Sequence, residues 1–103
     1  MQLTDRAAIV TGGAQGIGKA IALALAKAGA DVVIADLNAP AGQDAFQEVH
    51  APGAQAVFEK TDIAQRDEAR RLILATVERF GRIDILVKNA GVQHVAPLQD
   101  FPE

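Results

Sequence analysis

Two rhythms of apolar residues alternate along this chain. Short runs apolar on both sides are separated by stretches in which apolar positions return every three or four residues. Ala7-Ala8-Ile9-Val10, Asp31 to Ala35, Ala54 to Phe58 and Ile83 to Val87 are the short runs, and they predict four strands of the kind buried on both faces of a parallel sheet. Ile17, Ile21, Ala24, Leu25 and Ala28 predict the first helix, with Gly29 as its stop. Asn38 as N-cap and Pro40 in the first turn open a second, running to about His50 and broken by Pro52-Gly53. Ala69, Leu72, Ile73, Thr76, Val77 and Phe80 form the buried stripe of a third, which Gly81 ends. Its other face carries Arg66, Asp67, Glu68, Arg70, Arg71, Glu78 and Arg79; acids interleave the arginines, so it reads as a solvated face rather than a basic binding patch. From Val92 onward the chain is polar and punctuated by proline, with no further strand, and the whole has no repeat, low-complexity segment or linker.

Strand, helix, strand, three times over, implies parallel pairing through right-handed crossovers. The expected fold is α/β: a Rossmann-type doubly wound parallel sheet in the order 3-2-1-4, truncated after the fourth strand and forming one dinucleotide-binding domain over residues 1–103. In such sheets ligands sit over the carboxyl ends of the strands, where the direction of winding reverses.

One turn at that end stands out. Thr11-Gly12-Gly13-Ala14-Gln15-Gly16-Ile17-Gly18 joins the first strand to the first helix. Glycine there tolerates positive φ and lets another group approach the backbone, while the unpaired N–H groups of the helix start make an anion site. Gly13, Gly18 and Lys19 also fit part of a nucleotide-triphosphate loop, but that loop needs a Ser or Thr hydroxyl after the lysine, and position 20 is Ala20. A turn that uses glycine only to pack helix on strand is a further reading. The dinucleotide reading gains from Asp36, which ends the second strand 18 positions after Gly18. A carboxylate there can accept from the ribose hydroxyls of an adenosine.

These residues resemble the short-chain dehydrogenases/reductases. Gly12, Gly16 and Gly18 match the TGxxxGIG of that family, and the likeness continues through Asp62-Ile63 and Asn89-Ala90-Gly91, in order and over essentially the whole chain. The resemblance implies NAD as cofactor. It places the backbone of Gly12, Gly16 and Ile17 at the pyrophosphate and nearby ribose, Gln15 at the ribose edge, and Asp36 on the adenosine ribose. It places Asp62 and Ile63 at the adenine, with Asn89, Ala90 and Gly91 lining the cleft. A plainer role for Asp62, compatible with that one, is a helix cap. Lys88 replaces the first amide of the usual Asn-Asn-Ala-Gly. The segment Asn89 to Leu98 resembles one branch, the NAD-dependent D-3-hydroxybutyrate dehydrogenases, which implies that Gln93 helps hold a substrate carboxylate.

Composition then limits the chemistry. The 103 residues are 50% hydrophobic and 22% charged, with net charge −3 and no cysteine. A chain of this length can bury about two thirds of its unfolded surface, enough for a core. The charge gives no footprint for nucleic acid or an anionic membrane, and there is no thiolate chemistry, signal-peptide pattern or membrane-length apolar run. A cytoplasmic protein is expected. His50 and His94 lie far apart without ligand spacing, so no metal site is expected.

The sequence contains neither Ser nor Tyr. The family resemblance implies a catalytic Ser, Tyr and Lys, in enzymes of about 250 residues, and this chain cannot supply that set. It therefore reads as the cofactor-binding half of an enzyme acting on a small hydroxy or keto acid, without catalytic residues of its own and inactive alone. The alternatives are a stand-alone NAD-binding module and an interaction protein that has lost the site. Because the fourth strand would be an uncovered apolar edge, the chain is also expected to self-associate or to be only marginally folded.

Overall fold

A computed structural model of the chain describes residues 3–49 and 54–89. The elements run β1 (Ala7–Thr11), α1 (Gly16–Lys27), β2 (Asp31–Asp36), α2 (Ala39–Val49), β3 (Ala56–Lys60), α3 (Arg66–Phe80) and β4 (Ile85–Lys88). The strands form one sheet in the order β3-β2-β1-β4, and all three pairings are parallel. This is the expected doubly wound topology.

The core lies on both faces of β1 and β2. All five residues of β1 are buried, because neighbouring strands flank it and helices cover both sides. Val10, Val32 and Ile34 turn to the layer of α1 and α2, where they meet Ala22, Ala26, Ala45 and Val49. Ile9, Val33 and Ala35 turn the other way, to Leu72 of α3, with Ile63, Phe80 and Ile83 at the margin. The period-two alternation of buried strand residues thus divides them between two helical layers. Small residues set the spacing: Ala22 and Ala26 bring α1 close to the sheet, and Gly42 faces the Phe58 ring where an added Cβ would overlap it.

Turn chemistry follows expectation at α1 and α2. Gly29 takes φ +102° just after α1, and the Asn38 side chain accepts from the Ala41 N–H at 3.0 Å to cap α2. Three expectations change. β3 runs over Ala56–Lys60 rather than Ala54–Phe58, because its pairing with β2 begins at Val32 opposite Ala56 and continues to Asp36 opposite Lys60. Edge position lets Glu59 and Lys60 belong to a strand. β4 begins at Ile85, since Ile83 and Asp84 form the approach to it. The buried stripe of α3 is narrower than its sequence pattern: Leu72 and Thr76 are buried, whereas Ile73 and Val77 are exposed.

Asp84 fastens the amino end of the sheet. Its N–H donates to the Ala7 carbonyl at 2.8 Å and its carboxylate accepts from the Ala7 N–H at 2.9 Å. Arg82 adds a two-point contact, 2.8 Å to each oxygen, and Arg6 reaches it at 3.4 Å. Together, the Arg82 guanidinium first and the Ala7 N–H second, these lower the Asp84 carboxyl from 3.8 to about 2. The sign is that of a carboxylate ionised more readily in the folded state: its stabilisation is complete at neutral pH and is lost as pH falls from the ordinary carboxylate range through about 2. Denaturant unfolding followed from about pH 7 down to about pH 2 should therefore show a steeper loss of stability in the native protein than in Asp84→Asn, which should also be less stable at neutral pH. Parallel curves would remove Asp84 from this role.

Candidate functional site

The carboxyl ends of the four strands are tied together by a continuous set of hydrogen bonds that runs from β3 across to β4. The Thr61 N–H donates to the Asp36 carbonyl at 3.0 Å, joining the ends of β3 and β2. The Gly12 N–H donates to the Ala35 carbonyl at 2.7 Å, joining β2 to the glycine turn. The Asn89 side-chain amide donates to the Gly12 carbonyl at 3.1 Å, carrying the connection to the end of β4. Asp36 makes a further link, its Oδ2 accepting from the Ala14 N–H at 3.2 Å and its Oδ1 from the Asn38 N–H at 3.0 Å. Residues far apart in sequence therefore meet on one rim.

The glycines do different work within the turn. Gly12 and Gly16 take φ +66° and +58°, conformations that glycine adopts at little cost. An added Cβ at Gly16 would meet nothing within 4 Å, so the space over this turn is open to a ligand. At Gly18, by contrast, an added Cβ would overlap the Gly12 carbonyl and the Asn89 amide. Gly18 is thus required for the close approach of α1 to the end of β1. Gln15 occupies the N-cap position of α1 without a side-chain capping bond, leaving the first N–H groups of the helix as donors. Ile17 beside it is 66% exposed, an apolar surface at the mouth of the turn.

Thr11 had no assigned role in the sequence pattern. Its hydroxyl donates to the Val87 carbonyl at 3.2 Å and accepts from the Asn89 N–H at 3.0 Å, bolting β1 to β4 just before the turn. Nothing local in the sequence marks it, since both partners are distant along the chain. Glu68 also leaves the solvated face to which its neighbours belong, accepting from the Asp62 N–H at 2.8 Å. Asp62 is not the cap of α3, whose N-cap is Gln65. Its carboxylate instead accepts from the Ala64 N–H at 3.1 Å in a local turn. Ile63 packs at the margin of the α3-side core. Lys88 ends β4 opposite Thr11 and is exposed. Ala90, Gly91 and Gln93 lie outside the described residues.

Lys19 points away from the turn, pairing with Glu48 of α2 at 2.7 Å. A triphosphate loop would need that ammonium at the phosphates. Among the described residues there is no group of three or more His, Cys, Asp or Glu side chains placed to hold a metal, and no helix long and apolar enough to cross a membrane.

The short chain dehydrogenase family model matches residues 6–103. The chain belongs to that family. An uncharacterized oxidoreductase of Methylorubrum extorquens is 44% identical over 103 residues, covering 99% of this chain and 42% of the relative. The hydroxysteroid dehydrogenase of Escherichia coli is 40% identical with a TM-score of 0.84, over 98% of this chain and 43% of that one. An NAD+-bound xylitol dehydrogenase gives a TM-score of 0.85 at 33% identity, over 99% and 40%. The chain thus spans about two fifths of the length of the curated relatives it matches. Short chain dehydrogenases use nicotinamide cofactors, and the open space at Gly16, the helix-start donors and the Asp36 carboxylate fit such a dinucleotide chemically.

The two glycines can be separated by substitution. Gly18→Ala should lower stability by about 1–3 kcal/mol through overpacking. Gly16→Asn should cost less, because asparagine tolerates the left-handed region and finds room there. Denaturant midpoints for the two variants check this; a larger loss at Gly16 would contradict the assignment.

Proposed function

We propose that this chain is the cofactor-binding portion of an NAD-dependent short-chain oxidoreductase, folding as one dinucleotide-binding unit over residues 1–103. The observation that carries the reading is Asp36: its carboxylate stands between the glycine turn and the loop after β2, and no ion pair reaches it among the described residues. In this reading the backbone at Gly12, Gly16, Ile17 and Gly18 holds the pyrophosphate and nearby ribose, with Gln15 at its edge. Asp36 accepts from the adenosine ribose hydroxyls. Asp62 and Ile63 flank the adenine, and Asn89, Ala90 and Gly91 line the cleft. A bound nicotinamide supplies the hydride acceptor or donor. The chain's own residues bind and orient it.

The substrate belongs to the same proposal. Gln93 matches the residue that holds the carboxylate in D-3-hydroxybutyrate dehydrogenases, so the complete enzyme is proposed to interconvert 3-hydroxybutyrate and acetoacetate in the cytoplasm. The chain alone is proposed to be inactive, because a chain with neither Ser nor Tyr lacks the family's proton-transfer group. Reduction of acetoacetate by NADH with the purified chain, above a protein-free control, would overturn that.

Self-association is supported by apolar side chains left open on β4 and α3, where Leu86 is 52% and Leu74 61% exposed. Sedimentation of the purified chain should show a concentration-dependent rise in mass; a compact monomer at every concentration would refute it.

Cofactor preference gives the direct test. The extra phosphate of NADP would sit beside Asp36, where two unit charges at about 4 Å and an effective dielectric near 20 repel by about 4 kcal/mol. Losing the charged hydrogen bond to the ribose adds about 1.5–3 kcal/mol, and screening at an open cleft leaves a few kcal/mol of the total. The residues after Asp36 are Leu37, Asn38 and Ala39, none of them cationic. Calorimetric titration should show NAD binding more tightly than NADP. Asp36→Ala should weaken NAD and narrow the difference, and equal affinities in the unmutated protein would defeat the assignment.

A further inference from the structure

We propose that Asp36 is also the positioning residue of the glycine turn, so that one carboxylate controls both the ribose end and the pyrophosphate end of the dinucleotide site. The proposal rests on the dinucleotide reading above and extends it to a residue that does not touch the pyrophosphate. Its basis is the contact between Asp36 Oδ2 and the Ala14 N–H at 3.2 Å. Ala14 is only 4% exposed with the carboxylate in place, and the Asp36 oxygen is the acceptor that its N–H meets there. The turn has little slack beside it, since an added Cβ at Gly13 would stand 2.9 Å from the Val10 carbonyl and 3.2 Å from Ile34. Ala14 immediately precedes Gln15, the N-cap of α1. Displacement of Ala14 therefore moves the helix start whose N–H groups form the anion site. The other carboxylate oxygen, fixed by the Asn38 N–H, holds the side chain in this orientation.

Replacing Asp36 with a small neutral residue removes the charge that repels a 2′-phosphate but also releases the turn, so the variant loses NAD affinity without NADP reaching the affinity NAD had.

The test uses the whole chain and two readouts. The first is amide hydrogen exchange without ligand: Asp36→Ala should exchange faster at Ala14, by about fivefold or more for the loss of one hydrogen bond, while Ile9 and Val10 keep their protection. The second is titration with a dinucleotide whose adenosine ribose lacks the 2′ and 3′ hydroxyls. That ligand cannot report the ribose contact, yet it should bind Asp36→Ala about fivefold more weakly than the native protein. Asp36→Asn, which keeps an acceptor oxygen, should recover part of both effects and covers the case in which the alanine variant fails to fold. Unchanged exchange at Ala14, or equal binding of the dideoxy dinucleotide, would overturn the proposal. If the native protein bound no dinucleotide, the cofactor reading would fail, and the ligand-free exchange would still decide the role of Asp36 in the turn.

Discussion

The close approach of α1 to the end of β1 is the constraint on which the rest of this structure depends. At Gly18 the helix comes so near the Gly12 carbonyl that no side chain fits between them. That contact fixes where the helix begins and leaves its first N–H groups facing the open end of the sheet. It also lets the Asn89 amide reach Gly12 from the far side, tying β4 to the turn. Further along α1 the same closeness demands small residues, and Ala22 and Ala26 are both buried against the sheet. A helix with larger residues there would stand off from β1 and separate the turn from the strand ends beside it.

Most of the fold was legible because its signals are local. Apolar runs bounded by glycine and proline marked the strands, and alternation of strand with helix implied the order of the sheet. The glycine turn and Asp36 were legible through their spacing, and Asn89 through the resemblance of Asn89-Ala90-Gly91 to the family pattern. What local pattern could not show was set by pairing and by backbone contacts. The end of β3 was hidden because Glu59 and Lys60 look like a loop until their edge position and register opposite Ala35 and Asp36 are known. Glu68 resembled every other charge on α3, and only the turn at Asp62 folding back distinguishes it. Thr11 was silent because its partners, Val87 and Asn89, lie 76 and 78 residues away.

The two faces of the sheet are finished to different degrees. Ile9 and Leu86 are opposite each other in register and point to the same side. Ile9 is fully buried under α3, while Leu86 is 52% exposed. The difference arises because α3 packs over the centre of the sheet, where Leu72 meets Ile9 and Val33, and stops short of β4. On α3 itself Ile73 and Val77 are left exposed as well. This explains why the helical periodicity of α3 predicted a wider buried stripe than the described residues cover. A sequence pattern records the surface a helix is built to bury, including surface that these residues leave open.

Charge is distributed differently at the two ends of the strands. At the amino end, Asp84 is met by Arg82 and Arg6 as well as by the backbone of Ala7, so the strand ends are joined by groups that compensate one another. At the carboxyl end the strands are joined by backbone N–H groups, the Thr11 hydroxyl and the Asn89 amide. There, among the described residues, Asp36 accepts from the backbone N–H groups of Ala14 and Asn38 and from no cation. Two N–H dipoles hold a carboxylate in place without cancelling its charge, whereas a guanidinium pairs it with an opposite one. Neutral fastening therefore keeps Asp36 electrostatically available at the rim, and it is the same fastening that binds its position to the shape of the glycine turn.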